Sequence, residues 1–317
     1  MRRSRSGLLL GISLAIVASL AAHPADARRR GHRHRARAEP VVPPLTPEGL
    51  PNIRSVSALA VDMDTGNIVY SKNPDAVRAI ASTGKIYVAL VARRRGIDLE
   101  GITEITMDDV RFARGGSRTH LSVGQRFRNH DLLRAMLISS DNRACTALGR
   151  AVGWSPKELV GGMNAVARKL GLKLTHFDDP SGLNGNVSTA RELVVALRAA
   201  LEDPVIAEIL ATPQAVVRSV DKNPVEVEYI STDVALRTEK RFPILGGKTG
   251  YTDEAKYCLA IAAKLDGRRL GMAFLGADGK LTRFGDFNRS VAWLQAGGDK
   301  ALVAAKAAAA NAPKAAP

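Results

Sequence analysis

The sequence predicts an α/β (α+β) fold in which one antiparallel sheet is flanked by helices and carries an inserted, all-helical lobe. Residues 57–70 and 246–277 show the residue alternation and turn signals of strands. Residues 99–211 instead show helical spacing with helix start and stop signals. Strands at both ends of a chain most simply join in one sheet, with the helices packed beside it. We expect a functional cleft between the two parts.

The first strands form a predicted hairpin. Residues 57–63 have a strand pattern. Residues 64–67 read Asp-Thr-Gly-Asn and predict a turn, after which residues 68–70 form the second, antiparallel strand.

A helix is predicted from Ser82 to Arg95. Gly84 inside this helix costs about 1 kcal/mol relative to alanine, so we expect another element to approach the backbone closely there.

The remaining elements follow in two groups. Helices are predicted at residues 131–138, at residues 143–152, from Pro156 to Gly171, and from a capping box formed by Thr189 and Glu192. Strands are then predicted at residues 246–252, 256–265 and 268–277, with a hairpin turn at Asp266-Gly267 and a final helix at residues 281–295.

Charge is concentrated at the ends of the chain. The 317 residues carry a net charge of +15, but nine arginines lie in residues 1–37 against the single acid Asp26. The body between the termini is therefore only mildly basic and predicts no phosphate-binding surface for a nucleic acid. A mildly basic body suits an anionic substrate such as a carboxylate-bearing peptide.

These patterns divide the chain. Residues 1–27 predict a secretory signal peptide, with an arginine-rich start, a short apolar core and a small-x-small cleavage site at Ala25-Asp26-Ala27; an uncleaved anchor is the alternative. Residues 28–52 form a basic, proline-rich linker. The predicted enzyme domain is divided into a sheet lobe and a helical lobe and is followed by an alanine-rich, disordered tail: sheet lobe 53–98 and 212–298, helical lobe 99–211, whole domain 53–298, tail 299–317.

The two cysteines leave two possibilities open. Cys145 and Cys258 could pair in an oxidising compartment, but both have apolar neighbours and equally suit buried free thiols. The six histidines show no metal-binding spacing. We therefore expect no metal and no cofactor.

Three short motifs occur in order along the chain. They are Ser82-Thr83-Gly84-Lys85 (S-x-x-K), Ser140-Asp141-Asn142 (S-D-N) and Lys248-Thr249-Gly250 (K-T-G). The first opens a predicted helix, the second ends one and the third starts a predicted strand. Each motif alone is weak, but the ordered set is the signature of penicillin-recognising active-site serine enzymes.

The chain resembles one group of these enzymes, the low-molecular-mass D-alanyl-D-alanine carboxypeptidases and endopeptidases. Residues 58–62 with 69–71 resemble the opening hairpin of the family, and residues 179–183, 188–193 and 247–252 resemble its further motifs. The short form of the chain is most similar to the endopeptidases. The resemblance implies a β-lactamase/transpeptidase-like fold, peptidoglycan peptides as substrates, β-lactams as covalent inhibitors and a periplasmic location. We expect a monomer without a membrane span after signal cleavage.

The chemistry can be assigned to individual side chains. Ser82 is the expected nucleophile and Lys85, one helical turn on, the expected base, provided that burial or a nearby cation lowers its pKa. Ser140 would pass a proton to the leaving amine. The backbone N–H groups of Ser82 and Tyr251 would form the oxyanion hole.

The remaining motif residues are expected to bind substrate. Asn142 has both donors and an acceptor, which suits it to hold Lys85 and a substrate amide. Lys248 and Thr249 would bind the carboxylate of the leaving residue by charge and hydroxyl. Gly250 would let the substrate backbone lie against the strand.

Two rival functions are considered. A class A β-lactamase shares the three motifs but also needs a glutamate in an E-x-x-L-N loop; here residues 179–184 end in Leu-Asn, with an aspartate one residue too far away. A non-catalytic cell-wall binding protein is the second rival, although nothing structural requires these motif residues together.

Overall fold

A computed structural model describes residues 43–117 and 119–310. The predicted signal peptide, most of the predicted linker and residues 311–317 lie outside the described residues. Within those ranges, no helix is both long and apolar enough to cross a membrane.

The strands and helices have the following bounds. The strands are β1 (Ser57–Asp62), β2 (Ile68–Lys72), β3 (Arg78–Ala79), β4 (Ile102–Glu104), β5 (Arg126–Arg128), β6 (Val187–Ser188), β7 (Gln214–Arg218), β8 (Glu226–Ile230), β9 (Ile244–Thr252), β10 (Lys256–Leu265) and β11 (Arg268–Ala277). The helices are α1 (Lys85–Arg94), α2 (Met107–Phe112), α3 (Asn129–Ser139), α4 (Arg143–Ala151), α5 (Pro156–Lys169), α6 (Ala190–Leu201), α7 (Pro204–Leu210), α8 (Val234–Thr238), α9 (Thr282–Gln295) and α10 (Gly298–Ala310).

The main sheet joins strands from both ends of the predicted enzyme domain, as expected. Its strand order is β2-β1-β11-β10-β9, and every neighbouring pair is antiparallel. Successive side chains on β10 point to opposite faces: Leu259 and Ile261 pack toward α9, whereas Ala260 and Ala262 pack with α1 and α6. Strand β9 lies at one edge, so one side of its backbone is available beside the helical layer.

Helix α1 occupies the centre of the helical layer. Its residues from Lys85 to Ala92 are all buried, because apolar side chains occur on every face of the helix and other helices surround it. A side-chain carbon at Gly84 would lie 3.2 Å from Cε1 of Phe177, which confirms the expected close approach. Cys145 and Cys258 are buried and unpaired.

Three sequence-based boundaries are corrected by the structure. The helix at Ser82 starts as a 3-10 turn over Ala81–Gly84 and becomes α-helical only at Lys85. The strands β7 and β8 form a separate two-stranded sheet and do not join the main sheet, so the sheet lobe does not begin at residue 212. Short strands β4, β5 and β6 interrupt the region expected to be all helical.

Both termini of the predicted domain also differ from expectation. Residues 299–310 of the predicted tail lie in helix α10, since alanine has the highest helix propensity and Asp299 near the start of the helix pairs with Arg268 at 2.6 Å. The end of the predicted linker is ordered, because Trp293 Nε1 donates to the carbonyl of Gly49 at 2.9 Å.

The predicted capping box of α6 is only half formed. The Thr189 side chain accepts from the N–H of Glu192 at 3.1 Å. The Glu192 carboxylate turns away and accepts from Leu174 N and Thr175 Oγ1 instead. It therefore ties α6 to the segment before β6.

Candidate active site

Ser82 lies in a 3-10 turn that is enclosed from two sides. Ala81 has a φ of 48°, a conformation that costs energy for a residue with a side chain. A Cβ at Gly250 of β9 would lie 3.0 Å from Ser82 N, and a Cβ at Gly182 would lie 2.3 Å from the carbonyl oxygen of Ala81. Only glycine permits these approaches, so β9 and the loop of Gly182 fix the serine backbone between them.

The nucleophile and its base are already in contact. Lys85 Nζ donates to Ser82 Oγ at 2.6 Å and to the carbonyl oxygen of Ser181 at 2.6 Å. The Lys85 side chain is fully buried, and burial lowers its pKa because the ammonium form loses hydration. A neutral amine at this position can accept the Ser82 proton.

The carbonyl of Ser181 is a site contact that the motif search did not assign. Asp179 shapes its loop: one carboxylate oxygen accepts from the N–H of Ser181 at 3.0 Å, and the other accepts from the N–H of Asn184 at 3.2 Å. From the sequence, residues 179–183 supported only the family resemblance, and only the fold shows that this loop points a carbonyl at Lys85.

Ser140 and Asn142 lie at the junction of α3 and α4, the latter packing against α1. Ser140 ends α3 with a φ of 67°. Its hydroxyl is buried without a hydrogen-bond partner among the described residues, and so is Oδ1 of Asn142. Buried polar atoms normally have partners. These two atoms therefore have unused hydrogen-bonding capacity in the free protein.

The middle residue of the S-D-N motif has a structural role. The carboxylate of Asp141 accepts from the N–H of His120 at 3.0 Å, from the hydroxyl of Tyr229 at 2.9 Å and from the N–H of Arg143 at 3.0 Å. It thereby joins the motif to the preceding loop and to β8.

Lys248 and Thr249 present donors from the edge strand β9. Lys248 is buried and donates to the carbonyl of Thr249 at 3.1 Å. Its pKa is well below the usual lysine range, first because of burial and second because of the charge of Lys85. Thr249 Oγ1 donates to Thr232 Oγ1 at 2.6 Å, which fixes the orientation of the hydroxyl.

Two further charged residues near β9 were not identified from the sequence. Arg283 on α9 donates to the carbonyl of Gly250 at 3.2 Å, and its buried Nε has no partner among the described residues. Asp233 is buried, and burial raises its pKa to about 6; its Oδ2 is also unpartnered there. Neither residue lies in a motif, because only the packing of α8 and α9 brings them to β9.

Tyr251 was expected to contribute only its backbone N–H. Its side chain is exposed, stacks on Tyr257 and donates to Asp253 at 2.7 Å.

The described residues contain no cluster of His, Cys, Asp and Glu that could hold a metal ion.

Comparisons with known proteins agree with this geometry. A family model described as D-alanyl-D-alanine carboxypeptidase matches residues 45–279. A D-alanyl-D-alanine endopeptidase of Pseudomonas aeruginosa is 34% identical over 261 residues, which cover 81% of this chain and 83% of the relative. A D-alanyl-D-alanine endopeptidase of Escherichia coli is 31% identical over 248 residues, with 78% and 79% covered.

Solved structures give the same result. The Streptomyces K15 DD-transpeptidase matches with a TM-score of 0.72 at 27% identity, covering 77% of this chain and 97% of that one. A D-alanyl-D-alanine carboxypeptidase from Mycobacterium tuberculosis matches with a TM-score of 0.68 at 30% identity, covering 76% and 92%. The resemblance and the fold class predicted from the motifs are confirmed. The chain belongs to the D-alanyl-D-alanine carboxypeptidase family and is a serine-type D-alanyl-D-alanine peptidase.

Proposed function

We propose that this peptidase cleaves the bond that follows a D-alanine residue in peptidoglycan stem peptides or their cross-links, through an acyl-enzyme on Ser82. One observation carries this proposal. The buried amine of Lys85, whose pKa is lowered by burial, lies 2.6 Å from Ser82 Oγ. A serine needs such a base beside it to become a nucleophile.

In the acylation step, Ser82 Oγ bonds to the carbonyl carbon of D-alanine and its proton passes to Lys85 Nζ. The oxyanion is stabilised by the backbone N–H groups of Ser82 and Tyr251. The C–N bond then breaks, and the proton moves from Lys85 through the Ser140 hydroxyl to the leaving amine. The unpartnered Ser140 hydroxyl supports this transfer.

In the deacylation step, water replaces the leaving amine. Lys85 accepts a proton from the water, the hydroxide bonds to the acyl carbon, and the Ser82–acyl bond breaks. Ser82 recovers its proton from Lys85. The net reaction is hydrolysis, and the two steps use the same base in succession.

Substrate orientation follows from the polar side chains of β9 and of the S-D-N motif. Lys248 and Thr249 bind the carboxylate of the leaving residue, with Arg283 adding positive charge nearby. Asn142 contacts the substrate amide through its unpartnered Oδ1. Gly250 lets the peptide lie against the edge strand β9.

A β-lactamase activity is the alternative, and Asp179 argues against it. Its carboxylate already accepts from several backbone N–H groups of its own loop, so it is not free to activate a water. We expect the penicillin adduct to be long-lived. Mass spectrometry after removal of free penicillin tests this, and loss of the adduct within seconds would favour the lactamase.

Digestion of muropeptides tests the substrate. Purified cross-linked and uncross-linked muropeptides are incubated separately with the protein and with Ser82→Ala as the control. We expect cross-link cleavage, a proposal supported by the two endopeptidase relatives. Release of terminal D-alanine alone would identify a carboxypeptidase. No product from either substrate would contradict the proposal.

The protein is further proposed to act in the periplasm as a monomer, with β-lactams as covalent inhibitors. The signal-like residues 1–27 and the cell-wall peptidase family support export. Cell fractionation and light scattering test the two points. A cytoplasmic location or a stable oligomer would contradict them.

A further inference from the structure

A cavity of about 310 Å³ lies beside the S-D-N motif. Its walls are formed by Val110, Ala113, Arg114, Ser117, Thr119 and Arg143. We call it the arginine cavity. Arg143 directly follows Asn142 in the chain, so one wall continues from the active site. None of the six lining residues is acidic.

The loop that forms the cavity is fixed to the active-site motif. The N–H of His120 donates to Asp141 Oδ2 at 3.0 Å. Gly116 closes over Asn142 so tightly that a Cβ there would lie 1.9 Å from Asn142 Nδ2. The arginine cavity therefore keeps a defined position relative to Asn142, and a ligand bound there is positioned relative to the active site.

Two residues that line the arginine cavity each have a buried polar atom without a partner within the described part of the chain. Arg143 donates through Nη1 to the carbonyl of Leu121, whereas its Nε is buried without a partner among the described residues. The buried Oγ1 of Thr119 is also unpartnered there. Leaving such donors unpaired costs free energy, and an anion would supply the missing acceptor.

The neighbouring acids are engaged elsewhere. On α2, Asp108 pairs with Arg111 at 2.7 Å, and the buried Asp109 pairs with Arg150. Within residues 43–117 and 119–310, no acid forms an ion pair with Arg114 or Arg143. Neither guanidinium group is therefore held in an ion pair with a described acid; Asp141 contacts Arg143 only through the backbone N–H of Arg143, at 3.0 Å.

We propose that the arginine cavity binds a carboxylate on the peptide arm of the substrate, other than the carboxylate held by Lys248 and Thr249. This inference rests on the proposed function. Guanidinium groups bind carboxylates through paired, charge-assisted hydrogen bonds. The subsite would select stem peptides whose side carboxylates are free over peptides in which one of them is amidated.

The test compares KM for matched stem peptides with free carboxylates and with one carboxylate amidated at a time. For the unaltered protein, we expect one amidation to raise KM about tenfold. In Arg114→Gln this ratio should fall toward one, because the guanidinium is lost. Arg111→Gln, on the same helix, should keep the full ratio. Arg143→Gln is a second variant, although loss of its contact with Leu121 could disturb the loop.

Acylation by penicillin separates this inference from the proposed function. Arg114→Gln should be acylated at the unaltered rate, since penicillin carries no peptide arm. An unaltered protein that forms no adduct would refute the proposed function. Normal acylation combined with the same KM ratio in Arg114→Gln and the unaltered protein would overturn the subsite alone.

Discussion

The two halves of the active site differ in how completely their polar groups are paired. On the nucleophile side, Lys85 contacts both Ser82 and the carbonyl of Ser181 at 2.6 Å. On the opposite side, the Ser140 hydroxyl and Asn142 Oδ1 are buried without partners among the described residues. The nucleophile is therefore assembled in the free protein, whereas we expect substrate to complete the other half.

This difference has an energetic meaning. Unpaired buried groups destabilise the free protein, but interactions made only with the reacting substrate are the ones that accelerate the reaction. Removing an unpaired group should therefore lower activity without lowering stability. Removing a paired group that does not contact the substrate should lower stability without lowering activity.

The largest effect is expected for Lys85→Met. Loss of the base should lower the rate of Ser82 acylation by about a thousandfold, within the range typical of general-base catalysis. Acylation by a fluorescent penicillin measures this rate. Lys157→Met is the matched control, since Lys157 is an exposed helix residue. A Lys85→Met rate within tenfold of the control would remove Lys85 from the mechanism.

Ser140→Ala should lower muropeptide turnover by about a hundredfold without lowering the melting temperature, because no native hydrogen bond of its hydroxyl is lost. Ser155→Ala is the opposite control: its side chain accepts from the N–H of Glu158 and begins α5. That variant should lose about 1 kcal/mol of stability and keep its activity. If Ser140→Ala and Ser155→Ala lost the same melting temperature and the same activity, the contrast between unpaired and paired groups would be contradicted.

The pH dependence should reflect both lysines. Lys85 acts as a base only when it is neutral, so acylation should rise with pH through its lowered pKa, about tenfold per pH unit on the acid side. Lys248 binds a carboxylate only when it is charged. Its lowered pKa therefore predicts weaker binding as pH rises through that pKa. A profile of kcat/KM that is flat down to low pH would contradict the Lys85 assignment.

Thr249→Val should raise KM for carboxylate-bearing substrates about tenfold, because the hydroxyl that turns from Thr232 to the substrate carboxylate is lost. The exposed Thr238→Val serves as control. Steady-state kinetics with both variants measures the effect. An unchanged KM would show that Thr249 does not bind the carboxylate.

Asp233→Asn should give the smallest effect. The folded-state pKa of Asp233 is raised to about 6, so the folded state binds more protons than the unfolded state between the two pKa values. The stabilisation is present at low pH and is lost as pH rises through 6. Between pH 5 and pH 8, the unfolding free energy of the variant relative to the unaltered protein should increase by about 1 kcal/mol. Urea unfolding at both pH values checks this, and a constant difference would contradict it.

Motif spacing predicted the parts of the site that are local in sequence. The three-residue separation of Ser82 and Lys85 predicted their contact, because such positions lie on one face of a helix. Alternation along residues 246–277 predicted the strands that carry Lys248. The order of elements then predicted one antiparallel sheet.

Contacts between distant segments could not be predicted. Every residue type has a backbone carbonyl, so the residue types could not show that the carbonyl of Ser181 contacts Lys85. Arg283 reaches β9 only because α9 packs against the sheet. The alanine-rich composition predicted a disordered tail, whereas residues 299–310 lie in a helix that alanine favours and that Asp299 ties to Arg268.

The preassembled nucleophile is tested most directly by time-resolved mass spectrometry of the intact protein mixed with penicillin, followed by peptide mapping. The expected result is a single long-lived adduct on Ser82 that forms without delay in the unaltered protein and in Lys157→Met. Lys85→Met should remain almost free of adduct over the same period. An adduct on another residue, or equally fast acylation of Lys85→Met, would contradict the account.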